Sequence, residues 1–391
     1  MSARRWDIFC KVVDNYGDAG VTWRLARQLV AEHDLAVRLW VDDLESLERL
    51  CPAADARKDR QVIEGVELRR WGAQTAAARP PDVVVEGFGC ELPSSYLASM
   101  ADNAAQGKVP VWINLEYLSA EDWVAGCHGL PSPHAAPGLT RYFFFPGFGA
   151  DTGGLLRERG LLDARDAFQA DPGAQAAFWQ RLGVPVPARG EWRVSLFCYA
   201  DAPVGALMTG LSAHPHPVRL IVPQGPGALT VADWFGIDAR PGAHGELGNL
   251  AVSLVPFVEQ PDYDRMLWGC DLNFVRGEDS FVRAQWAGRP LVWQIYTQQQ
   301  RAHEVKLAQF LRRYLHGLHE PRRHAVENFM RFWNGGAPHD LSFAESWRAF
   351  AANQSALRLH AEDWAWRLAE QPDLAAQLVE FAGKVRPDTL R

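Results

Sequence analysis

Residues 6–30 have the sequence WDIFCKVVDNYGDAGVTWRLARQLV, and this stretch contains the pattern that decides the fold. Its first part, Trp6–Val13, is largely apolar and predicts a buried strand. The glycine-containing loop Asp14–Gly20 follows, and Val21–Val30 has the pattern of a helix. A buried strand that passes through a polar loop into a helix is the repeating unit of a parallel α/β sheet.

The same strand–loop–helix pattern recurs along the chain and begins again in the second half at Trp192–Tyr199 (WRVSLFCY). Strands that alternate with helices indicate parallel sheets with crossover helices. The region Ala164–Arg189, which ends in the proline-rich VPVPARGE, is the candidate boundary between the halves. The other predicted strands are Ala36–Trp40, Asp82–Val85, Val109–Asn114, Arg141–Phe145, Val218–Val222, Val252–Pro256, Leu272–Val275 and Leu291–Ile295.

Three segments follow from this pattern. We expect an N-terminal Rossmann-like domain over residues 1–185 and a C-terminal one over residues 186–365. The stretch Ser342–Phe381 is predicted to be helical throughout, and residues 366–391 are expected to pack back on the N-terminal domain. Since ligands of such sheets bind at the carboxyl ends of the strands, we expect the site in the cleft between the two domains.

Composition narrows the function classes. The chain has 391 residues, of which 48% are hydrophobic and 22% charged, so it can form more than one core and is not disordered as a whole. Its net charge of −7 disfavours a general nucleic-acid binder, which needs a basic surface. No apolar run reaches the ~18–20 residues of a membrane span. Six scattered cysteines without a Cys-x-x-Cys pair fit buried thiols in a reducing cytoplasm.

Asp14 and Asp18 are the first candidates for chemistry. They lie four residues apart in a loop between strand and helix, where catalytic groups of such sheets collect. Gly17 and Gly20 allow a tight turn and close backbone approach. Asp18 is equally suited to cap the following helix, and the residues alone leave both interpretations open. The loop lacks the Gly-x-Gly-x-x-Gly pattern of dinucleotide-binding proteins.

The segment Arg276–Ser280 (RGEDS) is the second candidate, because it follows a predicted strand and opens a predicted helix. Free N–H groups at a helix N-terminus bind phosphate, Arg276 can neutralise a diphosphate, and Gly277 permits a close approach. Asp279 and Ser280 are also favoured helix caps, so a purely structural role stays open.

Two further groups lie near strand ends. The glycine-rich stretch that contains TGGLLRE, after RYFFFPGF, suggests a turn with exposed backbone that faces a ligand. No Walker loop, Gly-x-Ser-x-Gly elbow or metal-ligand spacing is present. The other group can stack on a planar base and hydrogen-bond it, although such aromatics more often belong to the core; it consists of Phe197, Tyr199, Phe257, Gln260 and Tyr296.

Taken together, the motifs resemble the EarP family of arginine rhamnosyltransferases, which modify translation elongation factor P (EF-P). The matching stretches extend from residue 7 to about residue 300: DIFCKVVDNYGDAGVTWRLARQL, NLEYLSAEDWVAGCHGLPSPH, RYFFFPGF, TGGLLRE and NFVRGEDSFVRAQWAGRP. The resemblance implies the α/β GT-B glycosyltransferase fold, in which two Rossmann-like domains face each other. It also implies dTDP-β-L-rhamnose as donor substrate, an arginine of EF-P as acceptor, inversion at the anomeric carbon, and neither a metal nor another cofactor.

The resemblance also assigns roles to residues. Asp18 resembles the general base, with Asp14 as its essential companion and Glu278 as the other essential carboxylate. Arg276, Asp279 and Ser280 resemble the diphosphate-binding segment, and Phe257 and Gln260 the thymine pocket; Phe197, Tyr199 and Tyr296 match the donor site less closely.

Two alternatives to this function stay open. One is a GT-B transferase that uses a different nucleotide-sugar or acceptor. The other is a non-catalytic module that binds EF-P, against which the three carboxylates speak. A dehydrogenase is disfavoured, because the dinucleotide fingerprint is missing.

Overall fold

The structure, a computed structural model, describes residues 4–14, 16–72, 75, 81–136, 138–297, 302–336 and 341–385. By its internal contacts the chain divides into two compact units. The first unit comprises residues 1–159 together with 369–391, and the second comprises residues 160–368. Each unit is built on its own sheet.

Among its described residues, the first unit contains eight strands and, before residue 159, four helices. The strands are β1 (Arg5–Cys10), β2 (Ala36–Val41), β3 (Arg60–Ile63), β4 (Val66–Arg70), β5 (Val83–Gly87), β6 (Val111–Leu115), β7 (Pro131–Pro133) and β8 (Thr140–Phe144). The helices are α1 (Gly17–His33), α2 (Leu44–Leu50), α3 (Ser94–Ala105) and α4 (Trp123–Cys127).

In the described part of the second unit there are six strands and the next ten helices. The strands are β9 (Trp192–Leu196), β10 (Val218–Pro223), β11 (His244–Leu247), β12 (Leu250–Val255), β13 (Leu272–Arg276) and β14 (Leu291–Gln294). The helices are α5 (Leu161–Ala170), α6 (Pro172–Arg181), α7 (Val204–Ser212), α8 (Pro226–Phe235), α9 (Gln260–Trp268), α10 (Asp279–Trp286), α11 (Ala302–Tyr314), α12 (Glu320–Trp333), α13 (Phe343–Ala351) and α14 (Gln354–Ala369), and α15 (Leu374–Lys384) returns to the first unit.

The first sheet has the strand order β3-β4-β2-β1-β5-β6-β8-β7. Its central strands pair in parallel, as in the register that places Ile8 opposite Leu39 on one side and Val85 on the other. The antiparallel pairs are at the two edges, where β3 pairs with β4 and β7 with β8. From the first strand β1 the chain winds outward in both directions, which is the Rossmann arrangement.

The second sheet repeats this plan with the order β11-β12-β10-β9-β13-β14. All neighbouring strands are parallel except the edge pair β11 and β12. The strand order reverses beside β1 in the first unit and beside β9 in the second, and ligands of such sheets bind at the carboxyl ends of the strands at that point. The loops that follow β1 and β13 start there, so the topology brings both predicted motifs to binding edges.

The units divide at residue 159, whereas the sequence-based boundary lies at residue 185. The helices α5 and α6 lie between these positions and pack in the second unit, where Phe168 contacts Trp268 at 6.0 Å between ring centroids. Gln169 Nε2 also donates to the carbonyl oxygens of Trp268 and Ala287. The proline-rich VPVPARGE therefore precedes the first strand of the second sheet without separating the units.

The C-terminal stretch Ser342–Phe381, which was predicted to be helical throughout, consists of the three helices α13, α14 and α15 with short breaks between them. The last helix packs against α1 of the first unit. Asp373 caps α15 by accepting from Ala376 N, and it also accepts from Gln28 Nε2 of α1 at 3.0 Å. Leu374 N donates to Leu155 O at 3.0 Å, so backbone and side-chain bonds both hold this helix.

Within the described residues, no helix is both long and apolar enough to cross a membrane. All six cysteines are described, and none forms a disulfide. Five are buried and Cys127 is partly exposed.

Candidate active site

Asp18, the first predicted site residue, lies in the first turn of α1 and is only 2% exposed. Its Oδ2 accepts hydrogen bonds from the backbone N–H of Val13 at 2.8 Å and of Asp14 at 3.0 Å. The carboxylate thus reaches back to the loop that enters the helix. It does not act as the cap of α1, because Tyr16 occupies the N-cap position.

The surroundings of Asp18 raise the pKa of its carboxyl group. Burial has the largest effect and disfavours the charged form, while the two backbone N–H groups act in the opposite direction. The nearby charge of Asp14 raises the pKa further, and a hydrogen bond from Tyr117 lowers it. The outcome is a carboxylate that is more basic than an exposed aspartate and still well ordered by its donors.

Asp14 is partly buried at the start of the same turn, and its carbonyl oxygen accepts from Gly17 N at 2.6 Å. A Cβ atom built on Gly17 would lie 3.0 Å from Asp14 Oδ2, so the carboxylate passes close over the glycine. The structure therefore brings Asp14 and Asp18 together at the carboxyl end of β1, and glycine at position 17 leaves room for the carboxylate.

Sequence reasoning did not single out three residues that complete this arrangement. Thr22 is fully buried and donates from Oγ1 to the carbonyl oxygen of Asp18 at 2.8 Å. Tyr117 follows β6, and its ring stacks on that of Phe88 with centroids 4.6 Å apart and planes at 16°. Thr22 lies in the predicted helix only four residues after Asp18, and no motif marks it. For Phe88 and Tyr117 the only sequence signal was their position just after predicted strands, since their contacts join segments about 30 to 100 residues apart.

Arg276 ends β13 and is the centre of the second candidate site. Its side chain is buried, with 6% of its surface exposed. The guanidinium carbon lies 4.4 Å from the ring centroid of Phe197 and 4.5 Å from that of Tyr199, and Nη1 donates to Cys198 O at 3.4 Å. Among the described residues no carboxylate forms an ion pair with Arg276. A buried cation held by rings and a carbonyl is suited to bind an anion.

The turn between β13 and α10 is closed by Ser280. Its Oγ donates to the Arg276 carbonyl and accepts from Arg276 N at 3.0 Å, so the hydroxyl is used within the turn. Gly277 has φ +58°, a left-handed conformation that favours glycine. Glu278 is the N-cap of α10, and within the described residues its side chain makes no capping hydrogen bond. This turn therefore presents backbone N–H groups of a helix N-terminus next to Arg276.

The residues that were predicted to bind a planar base lie in two separate groups along the second sheet. Tyr199 N donates to Gln294 Oε1 at 2.8 Å, and the Tyr199 ring meets that of Tyr296 at 5.7 Å, edge to face. Phe197 and Tyr199 thus follow β9, next to Arg276 on β13, and Tyr296 lies just past β14.

Phe257 lies instead in the loop after β12, and Gln260 is the first residue of α9, both on the far side of β10 from these residues. Phe257 is partly exposed, and its N–H donates to Gln224 Oε1 at 3.5 Å, while Gln260 is buried. Both belong to the same carboxyl edge of the sheet as Arg276, because β12 and β13 run in one direction.

The expectation of exposed backbone at TGGLLRE is wrong. Gly153 and Gly154 are buried. A Cβ on Gly153 would lie 2.2 Å from the ring of Phe144, and one on Gly154, which has φ +69°, would lie 2.6 Å from Pro372 O. The glycines are needed where the chain packs against β8 and the segment before α15.

The fold and sequence match known proteins over nearly their whole length. A solved structure described as the structural basis for EarP-mediated arginine glycosylation of translation elongation factor EF-P has a TM-score of 0.67 and 37% identity, and the match covers 98% of this chain and 99% of that one. A glycosyltransferase from Rickettsia africae shares the fold alone, with a TM-score of 0.52, 8% identity and coverage of 98% and 99%. This chain is therefore a glycosyltransferase of the GT-B fold class.

The sequence gives the family. The sequence model of the family described as elongation factor P (EF-P) rhamnosyltransferase EarP matches residues 6–383. The chain therefore belongs to this family. The protein-arginine rhamnosyltransferase of Pseudomonas putida KT2440 is 50% identical over 379 residues, which cover 96% of this chain and 98% of the relative. The enzyme of the same name from Pseudomonas aeruginosa PAO1 is 47% identical with the same coverage. The predicted fold class and family are confirmed.

Proposed function

We propose that this chain transfers rhamnose from dTDP-β-L-rhamnose to an arginine side chain of elongation factor P, with inversion of the anomeric carbon and without a metal ion. Family membership over residues 6–383 supports the sugar and the acceptor protein. The geometric observation that carries the mechanism is the pair of Asp14 and Asp18 at the carboxyl end of β1, one partly and one fully buried.

The acceptor chemistry requires such a pair. A guanidinium group has a pKa above ~12 and offers no free lone pair near neutral pH. Asp14 can pair with its charge and orient it, and Asp18 can take its proton. Since burial raises the pKa of Asp18, this carboxylate is a better base than an exposed aspartate.

The transfer is a single displacement. A guanidine nitrogen forms a bond to the anomeric carbon of rhamnose while the bond from that carbon to the diphosphate oxygen breaks. The proton of the attacking nitrogen passes to Asp18, and dTDP leaves with the electron pair of the broken bond. One displacement inverts the configuration and needs no enzyme nucleophile.

Residues of the second unit would bind the donor. Arg276 and the N-terminus of α10, with Asp279 and Ser280, would stabilise the charge that develops on the leaving diphosphate. Because the Ser280 hydroxyl closes the turn, its contribution would come from the backbone N–H. Phe257 and Gln260 would bind the thymine, and Phe197, Tyr199 and Tyr296 are the other donor-binding residues. Glu278 would be the third essential carboxylate, a catalytic residue together with Asp14 and Asp18.

The decisive experiment mixes the purified protein with EF-P and dTDP-L-rhamnose and measures the intact mass of EF-P. A gain of one deoxyhexose, mapped to an arginine, is the expected result. No gain from this donor, but a gain from another nucleotide-sugar, would favour the alternative GT-B transferase. Binding of EF-P without any transfer would favour the binding module. Unchanged turnover with a chelator tests metal independence, and the anomeric coupling in the product tests inversion.

The base assignment predicts a selective loss in Asp18→Asn. The amide cannot accept the guanidinium proton, so kcat should fall about 10²–10⁴-fold. Binding of dTDP, measured by calorimetry, should be unchanged. Asp102→Asn is the matched control, since Asp102 is an exposed carboxylate on α3 of the same unit. Turnover within threefold of wild type in Asp18→Asn would remove the assignment.

A further inference from the structure

Phe88 has a backbone conformation that a bulky residue rarely adopts. Its φ is +57°, in the left-handed region that favours glycine, and it is partly exposed rather than part of the core. The residue follows β5 directly, at the point where the strand order of the first sheet reverses beside β1. Such conformations persist where surrounding bonds impose them, and they cluster at functional sites.

Neighbouring hydrogen bonds impose this conformation. Phe88 N donates to Leu115 O at 2.6 Å, which fixes the residue to the end of β6. On the other side, Gly89 N donates to Asn114 Oδ1 at 3.2 Å and Glu91 N to Glu86 Oε1 at 3.0 Å. These hydrogen bonds from backbone N–H groups therefore fix the conformation of the turn, and that conformation sets the direction in which the Phe88 ring points.

The ring of Phe88 contacts Tyr117, which links it to the candidate catalytic carboxylate. It stacks on Tyr117 with centroids 4.6 Å apart and planes at 16°. Tyr117 in turn hydrogen-bonds the Asp18 side chain. The chain of contacts thus runs from a strained turn after β5, through a ring pair, to the carboxylate after β1.

We propose that Phe88 and Tyr117 are positioning residues for the transfer reaction: the Phe88 ring holds Tyr117 in place, and the Tyr117 hydroxyl fixes the orientation of the Asp18 carboxylate. This inference rests on the proposed role of Asp18 as base. It explains why an apolar ring occupies a left-handed position at this edge, where glycine would be less strained.

The groups that face Asp18 define the expected pH effect. The charge of Asp14 in the same loop disfavours the ionised form of Asp18. The charge of Asp18 in turn contributes to the raised pKa of the neighbouring Cys10 thiol of β1, although burial is the main cause there. The Tyr117 hydroxyl and two backbone N–H groups favour the ionised form. Loss of the Tyr117 hydroxyl should therefore raise the pKa of Asp18 further and move the acid limb of the rate profile to higher pH.

The test measures kcat, the KM for dTDP-L-rhamnose and the pH profile of kcat in four variants. Tyr117→Phe keeps the ring pair and removes the hydroxyl; kcat should fall on the order of tenfold, the size of one lost hydrogen bond to a charged group. Phe88→Leu should lower kcat in the same direction. The double variant Tyr117→Phe/Phe88→Leu should have its acid limb at the same pH as the single variant Tyr117→Phe. This is expected because Phe88 acts through the Tyr117 hydroxyl, which both variants lack. Phe88→Tyr, which keeps the ring, should recover most of the activity lost in Phe88→Leu.

Glu64→Gly is the matched control for backbone strain. Glu64 has φ +48° in the turn between β3 and β4, at the sheet edge away from β1, so relieving its conformation should leave kcat unchanged. Donor KM should stay at the wild-type value in all variants, because the donor residues belong to the second unit.

Specific outcomes would overturn the proposal. A wild-type kcat and pH profile in Tyr117→Phe would do so, as would independent, multiplicative effects of the two substitutions on kcat. Failure of the proposed function itself has a different signature, namely full turnover in Asp18→Asn or no transfer of rhamnose by the unmodified protein.

Discussion

Two buried arginines in the second unit should respond in opposite ways to the same substitution. Arg283 on α10 is 2% exposed and forms a two-pronged ion pair with Asp264, with Nε at 2.9 Å from Oδ1 and Nη2 at 2.7 Å from Oδ2. Arg276 is nearly as buried but has ring faces and a carbonyl as partners. Substituting methionine at each position separates an arginine that maintains the fold from one that serves a ligand.

The structure sets the magnitudes for stability. Arg283→Met leaves Asp264 buried without its partner, which costs about 3–5 kcal/mol. Arg276→Met loses two cation–π contacts of about 0.5–2 kcal/mol each. It also removes a buried charge whose desolvation costs several kcal/mol, so the two effects roughly cancel. At about 2–4 °C per kcal/mol for a unit of this size, Arg283→Met should lower the midpoint of thermal unfolding by roughly 6–20 °C, and Arg276→Met by less than about 4 °C.

Ligand binding should show the opposite order. If Arg276 binds the diphosphate, its loss removes at least one charge-assisted hydrogen bond of about 1.5–3 kcal/mol, so dTDP should bind about 10–100-fold more weakly by calorimetry. Saturating dTDP should also raise the thermal midpoint of the unmodified protein more than that of Arg276→Met. Equal destabilisation by both substitutions, or unchanged dTDP affinity in Arg276→Met, would refute the reasoning.

Two further predictions concern the first unit. Gly154→Ala should lower the thermal midpoint more than Gly160→Ala does, and it should increase proteolysis near α15. Both glycines have positive φ, but only at Gly154 would a Cβ meet backbone, 2.6 Å from Pro372 O. Equal effects of the two substitutions would contradict this packing role. Burial lowers the pKa of His128, so the folded state binds fewer protons than the unfolded state just below the unfolded value of about 6.5. Stability should therefore decrease as the pH falls below that value, and His128→Gln, compared by calorimetry at several pH values, should show a smaller decrease; identical slopes would contradict it.

The sequence predicts secondary structure most accurately in segments where one local pattern dominates. The buried central strands were located to within a few residues, because strands such as β1 and β9 are buried on both sheet faces and their sequences are correspondingly rich in large apolar residues. The edge hairpin of β3 and β4 was missed, since β3 alternates between exposed and partly buried positions and β4, although two of its residues are buried, carries several charges. Neither α11 nor α12 was predicted, because their apolar residues form only one face among many charged ones.

Long-range packing accounts for the remaining differences. The buried glycines of TGGLLRE suggested a ligand-facing turn, yet Gly154 is required by Pro372, more than 200 residues later in the chain. Phe88 and Tyr117 have no individual motif, and they become significant only when β5 and β6 lie in order beside β1. No periodicity in the sequence reports that order.

The structure also decides between two uses of the same residue, which a sequence pattern leaves open. Asp18 and Ser280 were both suited to cap a helix or to serve a site. The Asp18 side chain turns back to Val13 N and Asp14 N, so it orders the loop while one carboxylate oxygen is not required by these two bonds. The Ser280 hydroxyl instead closes its own turn on Arg276. Two residues of cap-forming type, one after β1 and one after β13, thus have different tasks: the Asp18 side chain is suited to chemistry, and the Ser280 side chain shapes a backbone that is suited to binding.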